Sequence, residues 1–199
     1  LAYKIPEHGN SFFYSLGGIV AVGFLIMIAS GLLLAQVYNP VPELAYQSLQ
    51  AIQQMSGASY LRALHYWMAQ GVIVALLLHL ARVFITGAYQ HPRQLTWWIG
   101  VALLATLLMG SYFTGTVLKW DEEGLDALAH YKETLLHLGP IGAALTDALP
   151  GSPPMNFRVY VSHIALFPLL LIFLLVIHIY LIHTFNLSPT PKDRWADQP

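Results

Sequence analysis

The sequence predicts an all-α membrane protein, a four-transmembrane-helix bundle, and three observations carry that prediction. Of 199 residues, 56% are hydrophobic and 10% are charged, where a soluble domain carries about a quarter charged. Mean hydropathy is +0.57. The apolar residues gather in four runs, each long enough to cross about 30 Å of hydrocarbon at about 1.5 Å per residue.

In order, the runs cover about Phe12 to Val37, Leu64 to Ile85, Trp97 to Leu118 and Val159 to Ile182. Tyr38 to Arg62 reads as a loop opened by Asn39-Pro40 and Pro42, with a short amphipathic helix at 43–55. Gly87 to Thr96 reads as a tight polar turn containing Pro92. Lys119 to Arg158 is long and acidic, closes on Pro150-Gly151-Ser152-Pro153-Pro154, and has room for one or two short surface helices. The polar, Pro-rich tail Asn186 to Pro199 reads as a surface extension, and no cleaved leader is expected. Residues 1–199 are read as a single domain.

Four spans put both termini and the 87–96 turn on one side, with Lys4, Arg82, Arg93, Lys192 and Arg194. The other side holds Arg62, Lys119, Lys132 and Arg158, beside Glu43, Asp121, Glu122, Glu123, Asp126, Glu133 and Asp147. Lys and Arg divide five to four, a small excess that favours the cytoplasmic side for the termini. The net charge of −1 gives no basic surface for nucleic acid. The absence of cysteine excludes disulfides, thiolate-bound zinc, iron–sulfur clusters held by this chain and thioether-linked haem.

Any metal must therefore be held by histidine or carboxylate, or arrive within a cofactor. Of nine histidines, four lie within the spans: His65, His79, His163 and His178. A polar ring at membrane depth is expensive and marks a functional site by default. The first two are 14 residues apart and the second two 15. At about 100° per residue those steps return to within about 40° and 60° of the starting direction, so each pair lies roughly along one helix face. The rise between its members is about 21 to 23 Å, too far for one ion. Spans two and four run in the same direction, so His65 pairs with His163 and His79 with His178. One imidazole from each helix at each of two levels suits two bis-histidine haems in the bundle.

Small and basic residues fit the same cofactor. Gly17 and Gly31 are 14 apart on span one, while Gly115 has Gly100 as a mate at 15 on span three. Glycine allows a ring edge to approach the backbone, although small residues also serve ordinary helix packing. Arg62, Arg82 and Arg158 flank the histidines and are candidates for haem propionates, with snorkelling to the interface as the plainer role. Pro168 lies between the ligands of span four and should kink that helix or free a carbonyl. Trp97, Trp98 and Trp120 at span ends read as an aromatic belt, and His130 and His137 as surface histidines.

These residues together resemble the N-terminal half of the cytochrome b/b6 family over nearly the whole chain. The matching segments are Pro6-Glu7-His8, Phe13-Tyr14-Ser15-Leu16-Gly17-Gly18, Leu61 to His65, His79 to Phe84 and Thr86-Gly87 through Pro92 to Trp97. Gly115-Thr116-Val117-Leu118-Lys119-Trp120-Asp121 and Arg158 to His163 complete them. The interval of 15 in span four, and an end after four helices, are similar to the b6 branch.

The resemblance implies a low-potential haem b on the positive side, held by His65 and His163, and a high-potential haem b on the negative side, held by His79 and His178. It implies bifurcated quinol oxidation near the first haem, quinone reduction near the second, and proton translocation. Implied partners are a Rieske iron–sulfur protein, a subunit carrying the C-terminal half of cytochrome b, a c-type cytochrome, quinone and lipid, in a homodimeric complex. The expected location is a bacterial cytoplasmic membrane or an energy-transducing organelle membrane. Ser15 stands where photosynthetic b6 relatives carry a haem-binding cysteine, so no covalent c-type haem is expected. Lys119 replaces the family's usual proline, and the Pro-Glu-Trp-Tyr motif of the other half is absent. His183 matches a quinone-contacting histidine of mitochondrial-type relatives. Two other readings stay open: a di-haem anchor linking the quinone pool to another dehydrogenase, and a transporter or channel using histidine as a proton relay.

Overall fold

The computed structural model describes residue 9, residues 11–146 and residues 153–185. The Pro6-Glu7-His8 segment, Lys4, Asp147, Pro150-Gly151-Ser152, Lys192, Arg194 and the tail from Asn186 lie outside the described residues. Among the described residues regular structure is helical throughout, in seven elements. These are α1 (Phe12–Ala35), α2 (Pro42–Gln54), α3 (Ser56–Ile85), α4 (Gln94–Val117), α5 (Glu122–Leu136), α6 (Pro140–Ala144) and α7 (Met155–Phe185). Four of them, α1, α3, α4 and α7, are long and apolar enough to cross a membrane.

The apolar runs locate these four helices, three of which start upstream of the run: α3, α4 (at Gln94 rather than Trp97) and α7. Helix α3 begins at Ser56, not Leu64, so residues 56–62 belong to it and the expected loop is shorter. That first stretch, Ser56-Gly57-Ala58-Ser59-Tyr60-Leu61-Arg62, is polar enough to miss a hydropathy window while still forming helical hydrogen bonds. Helix α7 begins at Met155, directly after Pro153-Pro154, because proline favours an extended residue before it and cannot continue a helix backwards. Helix α2, expected at 43–55, forms at Pro42–Gln54 with Pro42 at the first position.

Two of the long helices contain a wide π turn, at Thr106–Tyr112 in α4 and Ser162–Leu166 in α7. The second immediately precedes Phe167-Pro168. Proline has no N–H for the carbonyl four residues back, and a local π adjustment is one way to accommodate it. In that span Pro168 thus marks a widened turn.

The chain forms two compact units, Leu1–Ile28 with His65–Leu104 and Leu171–Pro199, and Ala29–Leu64 with Ala105–Leu170. In the first, Gly23 lets α1 approach α3 so closely that an added Cβ would lie 2.7 Å from Val72. The turn between α3 and α4 uses Gly87 at φ 57°, and Phe84, Tyr89 and Trp97 pack there as an aromatic trio. The Arg93 guanidinium donates to the Phe185 carbonyl at 3.2 Å, joining the start of α4 to the end of α7.

In the second unit Val117, Leu135, Met155 and Val159 form a buried cluster lined by Phe113, Leu118, Ala127, Leu128 and Tyr131. Burying a large apolar side chain of this kind from water contributes about 1.5–3 kcal/mol. Helix α5 leaves α4 through a sharp corner: Trp120 takes φ 54°, and Asp121 caps α5 by accepting from the Gly124 N–H at 2.9 Å. Along the spans, by contrast, large apolar side chains such as Trp67, Met109 and Leu169 stay exposed. Lipid tails are as apolar as leucine, so those faces gain little from packing inward.

Candidate functional site

All four intramembrane histidines are half-buried, and each lies on a long helix: His65 and His79 on α3, His163 and His178 on α7. In the first unit His79 and His178 come near enough to interact electrostatically. Each has a glycine against its ring. A Cβ added to Gly17 would lie 3.0 Å from His79 Cε1, and one added to Gly100 would lie 3.4 Å from His178 Cε1. In the second unit a Cβ on Gly115 would lie 3.0 Å from His163 Cε1. Three of the four glycines singled out at intervals of 14 and 15 therefore face imidazoles. Gly31 is a half-buried residue of α1.

The polar surroundings of the rings differ. His65 is hydrogen-bonded to the Met27 backbone. His163 Nδ1 lies 3.0 Å from the Thr114 hydroxyl. His79 Nδ1 faces Arg82 Nη2 at 3.5 Å. The Thr96 backbone lies beside the His178 ring without a well-formed hydrogen bond, so that Nδ1 is buried and unpartnered. Thr114 and Met27 carry no sequence signal as partners, because each is brought to its histidine by another helix.

The arginines also separate. Arg82 has its guanidinium carbon 5.0 Å from the centre of the Tyr14 ring, while its Nε is buried without a partner. A half-buried guanidinium with a buried, unmet Nε donor next to His79 is a position an anionic group would complete. Arg158 instead donates to three backbone carbonyls, from Nε to Pro153 at 3.1 Å, Nη1 to Ala144 at 3.3 Å and Nη2 to Thr146 at 2.5 Å. It holds the loop after α6 against the start of α7. Arg62 is half-buried on α3, and His183 is exposed in the last turn of α7.

These observations fit a haem. Among the described residues no three His, Asp or Glu side chains form a cluster able to hold a bare ion. Each of these three glycines leaves room for an imidazole to lie against helix backbone, and two histidines are all the protein ligation a haem iron needs. Of the two intervals of 15, Gly100 to Gly115 contains one π turn, and His163 to His178 starts inside the other. The two of 14, His65 to His79 and Gly17 to Gly31, lie in regular α-helix. A π turn takes up one extra residue, so 15 residues there advance a helix about as far as 14 elsewhere.

Comparison with known proteins points the same way. A family profile described as cytochrome b (N-terminal)/b6/petB matches residues 70–198. Cytochrome b6 of Heliobacterium mobile is 35% identical over 191 residues, covering 94% of this chain and 89% of that protein. The menaquinol:cytochrome c reductase cytochrome b subunit of Geobacillus thermodenitrificans is 32% identical over 198 residues, covering 94% and 88%. Among solved structures, a chain of a hyperthermophilic respiratory Complex III superposes with a TM-score of 0.79 at 25% identity. The match covers 96% of the present chain and 51% of that one, so the chain spans about half of that relative's length.

Proposed function

The chain belongs to the cytochrome b (N-terminal)/b6 family, and from that membership we propose that it carries electrons across the membrane between two b haems in a quinol-oxidising complex. The coarse role is that of a bc/b6f-type electron-transfer subunit with non-covalent b haem. Two haems, bifurcated quinol oxidation, quinone reduction and coupled proton translocation are the finer reading.

In this reading His79 and His178 hold the negative-side haem, and His65 and His163 the positive-side haem. Support for the first pair is the proximity of the two rings within one compact unit and the glycine against each. Support for the second is the helix intervals, the family, and the Gly115 edge against His163. A haem bound at each pair would supply a one-electron couple, which is the chemistry that electron transfer between the two membrane faces needs. The protein's part is to present neutral imidazole nitrogens, exclude side chains at Gly17, Gly100 and Gly115, and balance propionate charge. Arg82 is suited to that last role by its buried, unpartnered Nε, with Arg62 a second candidate. Arg158, engaged with three carbonyls, is better suited to holding the loop.

His183 is proposed as a quinone contact at the negative side, where its exposed position leaves it reachable from the bilayer surface. The proposed partners are a Rieske protein, the subunit with the other half of cytochrome b and a c-type cytochrome, in a dimeric complex. Residues 1–199 act as one domain, with the termini on the negative side of an energy-transducing membrane.

The observation that carries this reading is the repeated juxtaposition of a membrane-depth imidazole with a glycine face. A pyridine haemochrome assay with redox titration of the purified complex tests it, after subtraction of haem in partner chains. Two b haems with separate midpoints are expected, one lost in His65→Ala and the other in His79→Ala. No haem, or one haem surviving both substitutions, would overturn it.

A further inference from the structure

The strongest unassigned contact lies where the two π turns meet in the second unit. Gly110, in the π turn of α4, packs on the Phe167 ring, and four residues later Thr114 places its hydroxyl 3.0 Å from His163 Nδ1. Thr114 is buried, at 5% exposure. Its oxygen lies 2.6 Å from the Gly110 carbonyl and 3.2 Å from that of Ser111. A hydroxyl has one hydrogen to give, and the short contact to Gly110 takes it. Toward His163 the oxygen can therefore only accept, so Nδ1 carries the ring proton and Nε2 keeps its lone pair.

We propose that Thr114 is a positioning residue for His163, fixing its tautomer and ring plane so that Nε2 is presented to haem iron. The inference rests on the haem reading above and adds to it a residue that touches no cofactor. An oxygen that accepts from the far side of a ligating imidazole makes the ligand more basic, which favours ferric over ferrous iron. Nδ1 of His79 faces a guanidinium donor, and the Thr96 backbone beside His178 makes no well-formed hydrogen bond to its Nδ1. Thr114 thus lowers the midpoint of the haem held by His163 and leaves that of the other haem alone.

The test uses the intact complex with Thr114→Val, which keeps the shape and removes the acceptor, and Thr114→Ser, which keeps the hydroxyl. Haem content, the two midpoints and the low-temperature EPR signals are read for each. In Thr114→Val the ferric preference of the His163-bound haem falls roughly tenfold, a rise of about 59 mV for a one-electron couple. The second midpoint stays fixed and Thr114→Ser behaves as wild type. If Thr114→Val loses that haem altogether, its retention in Thr114→Ser carries the same conclusion. Unchanged midpoints in Thr114→Val, or a serine variant as altered as the valine one, overturn the proposal while the haem reading stands. A wild-type complex without b haem overturns both, and is recognised before any substitution is made.

Discussion

The Trp120 indole donates to the Tyr38 hydroxyl at 3.0 Å, joining the segment after α1 to the corner between α4 and α5. Tyr38 also stacks on Tyr160 of α7 with centroids 5.6 Å apart, and Tyr160 donates to the Ala35 carbonyl at 3.3 Å. Asn156, nearly fully buried in the first turn of α7, donates to the Pro40 carbonyl at 2.7 Å. Three stretches of the second unit, 35–40, the corner at Trp120 and the start of α7, are thereby tied together around Tyr38. Tyr38→Phe keeps the stack and removes the acceptor, leaving the part-buried indole N–H unmet at a cost of about 1–3 kcal/mol. Differential scanning calorimetry of the detergent-purified complex should show a lowered midpoint, and Tyr160→Phe a smaller decrease.

Glycine substitutions should act on one haem at a time. Gly17→Val pushes the His79 ring, and Gly115→Val the His163 ring, since even a single added carbon meets either ring at 3.0 Å. Each variant is expected to lose or weaken one b haem and retain the other, as read by dithionite-reduced difference spectra and haem quantification. Gly18→Ala, with open space around its added carbon, should leave both intact.

Removing the charge of Arg82 should lower the midpoint of the haem assigned to His79 and His178. A cation beside a redox centre favours the reduced, less positive state, and partial burial leaves it incompletely screened. Arg82→Gln is expected to lower that midpoint in a potentiometric titration, Arg82→Lys to restore most of it, and the other midpoint to stay put.

Much of this site is legible in the sequence because membrane depth makes histidine conspicuous. The four helices, the 14- and 15-residue intervals and the glycines at 17, 100 and 115 could all be picked out from spacing. What could not be read is set by contacts between helices. Thr114 belongs to α4 and its partner His163 to α7, 49 positions away, so no local pattern links them. Met27 reaches His65 through its backbone, which leaves no trace in residue type. Arg158 sits five residues before His163 and reads as a propionate partner, yet loop carbonyls take up its guanidinium. The start of α3 was hidden for a different reason: residues 56–62 are helical without being apolar.

The Lys119–Asp121–Glu123 cluster at the head of α5 gives a pH-dependent prediction outside the spans. Lys119 Nζ lies 3.3 Å from Asp121 Oδ2 and is bonded to Glu123. Partial burial works against the Asp121 carboxylate, but the Gly124 N–H and the Lys119 ammonium outweigh it and hold its pKa below the usual value. A depressed carboxyl contributes stability that is present above its unfolded pKa and lost as pH falls through the folded one. Asp121→Ala should therefore cost about 0.5–2 kcal/mol at neutral pH, the range of a lost helix cap. The difference from wild type should shrink on acidification into the carboxylate range, measured by thermal unfolding at a series of pH values.

The π turns of α4 and α7 bear on how this chain is laid against its relatives. When a relative has one residue fewer between the matching glycines or histidines, the gap belongs within 106–112 or 162–166, where a wide turn can relax to an ordinary one. Placing it at a helix end would misassign a whole face of the span. Because Gly110 of one turn packs on Phe167 beside the other, the two lengths are coupled, and a deletion in one helix is best tolerated when its neighbour shortens too.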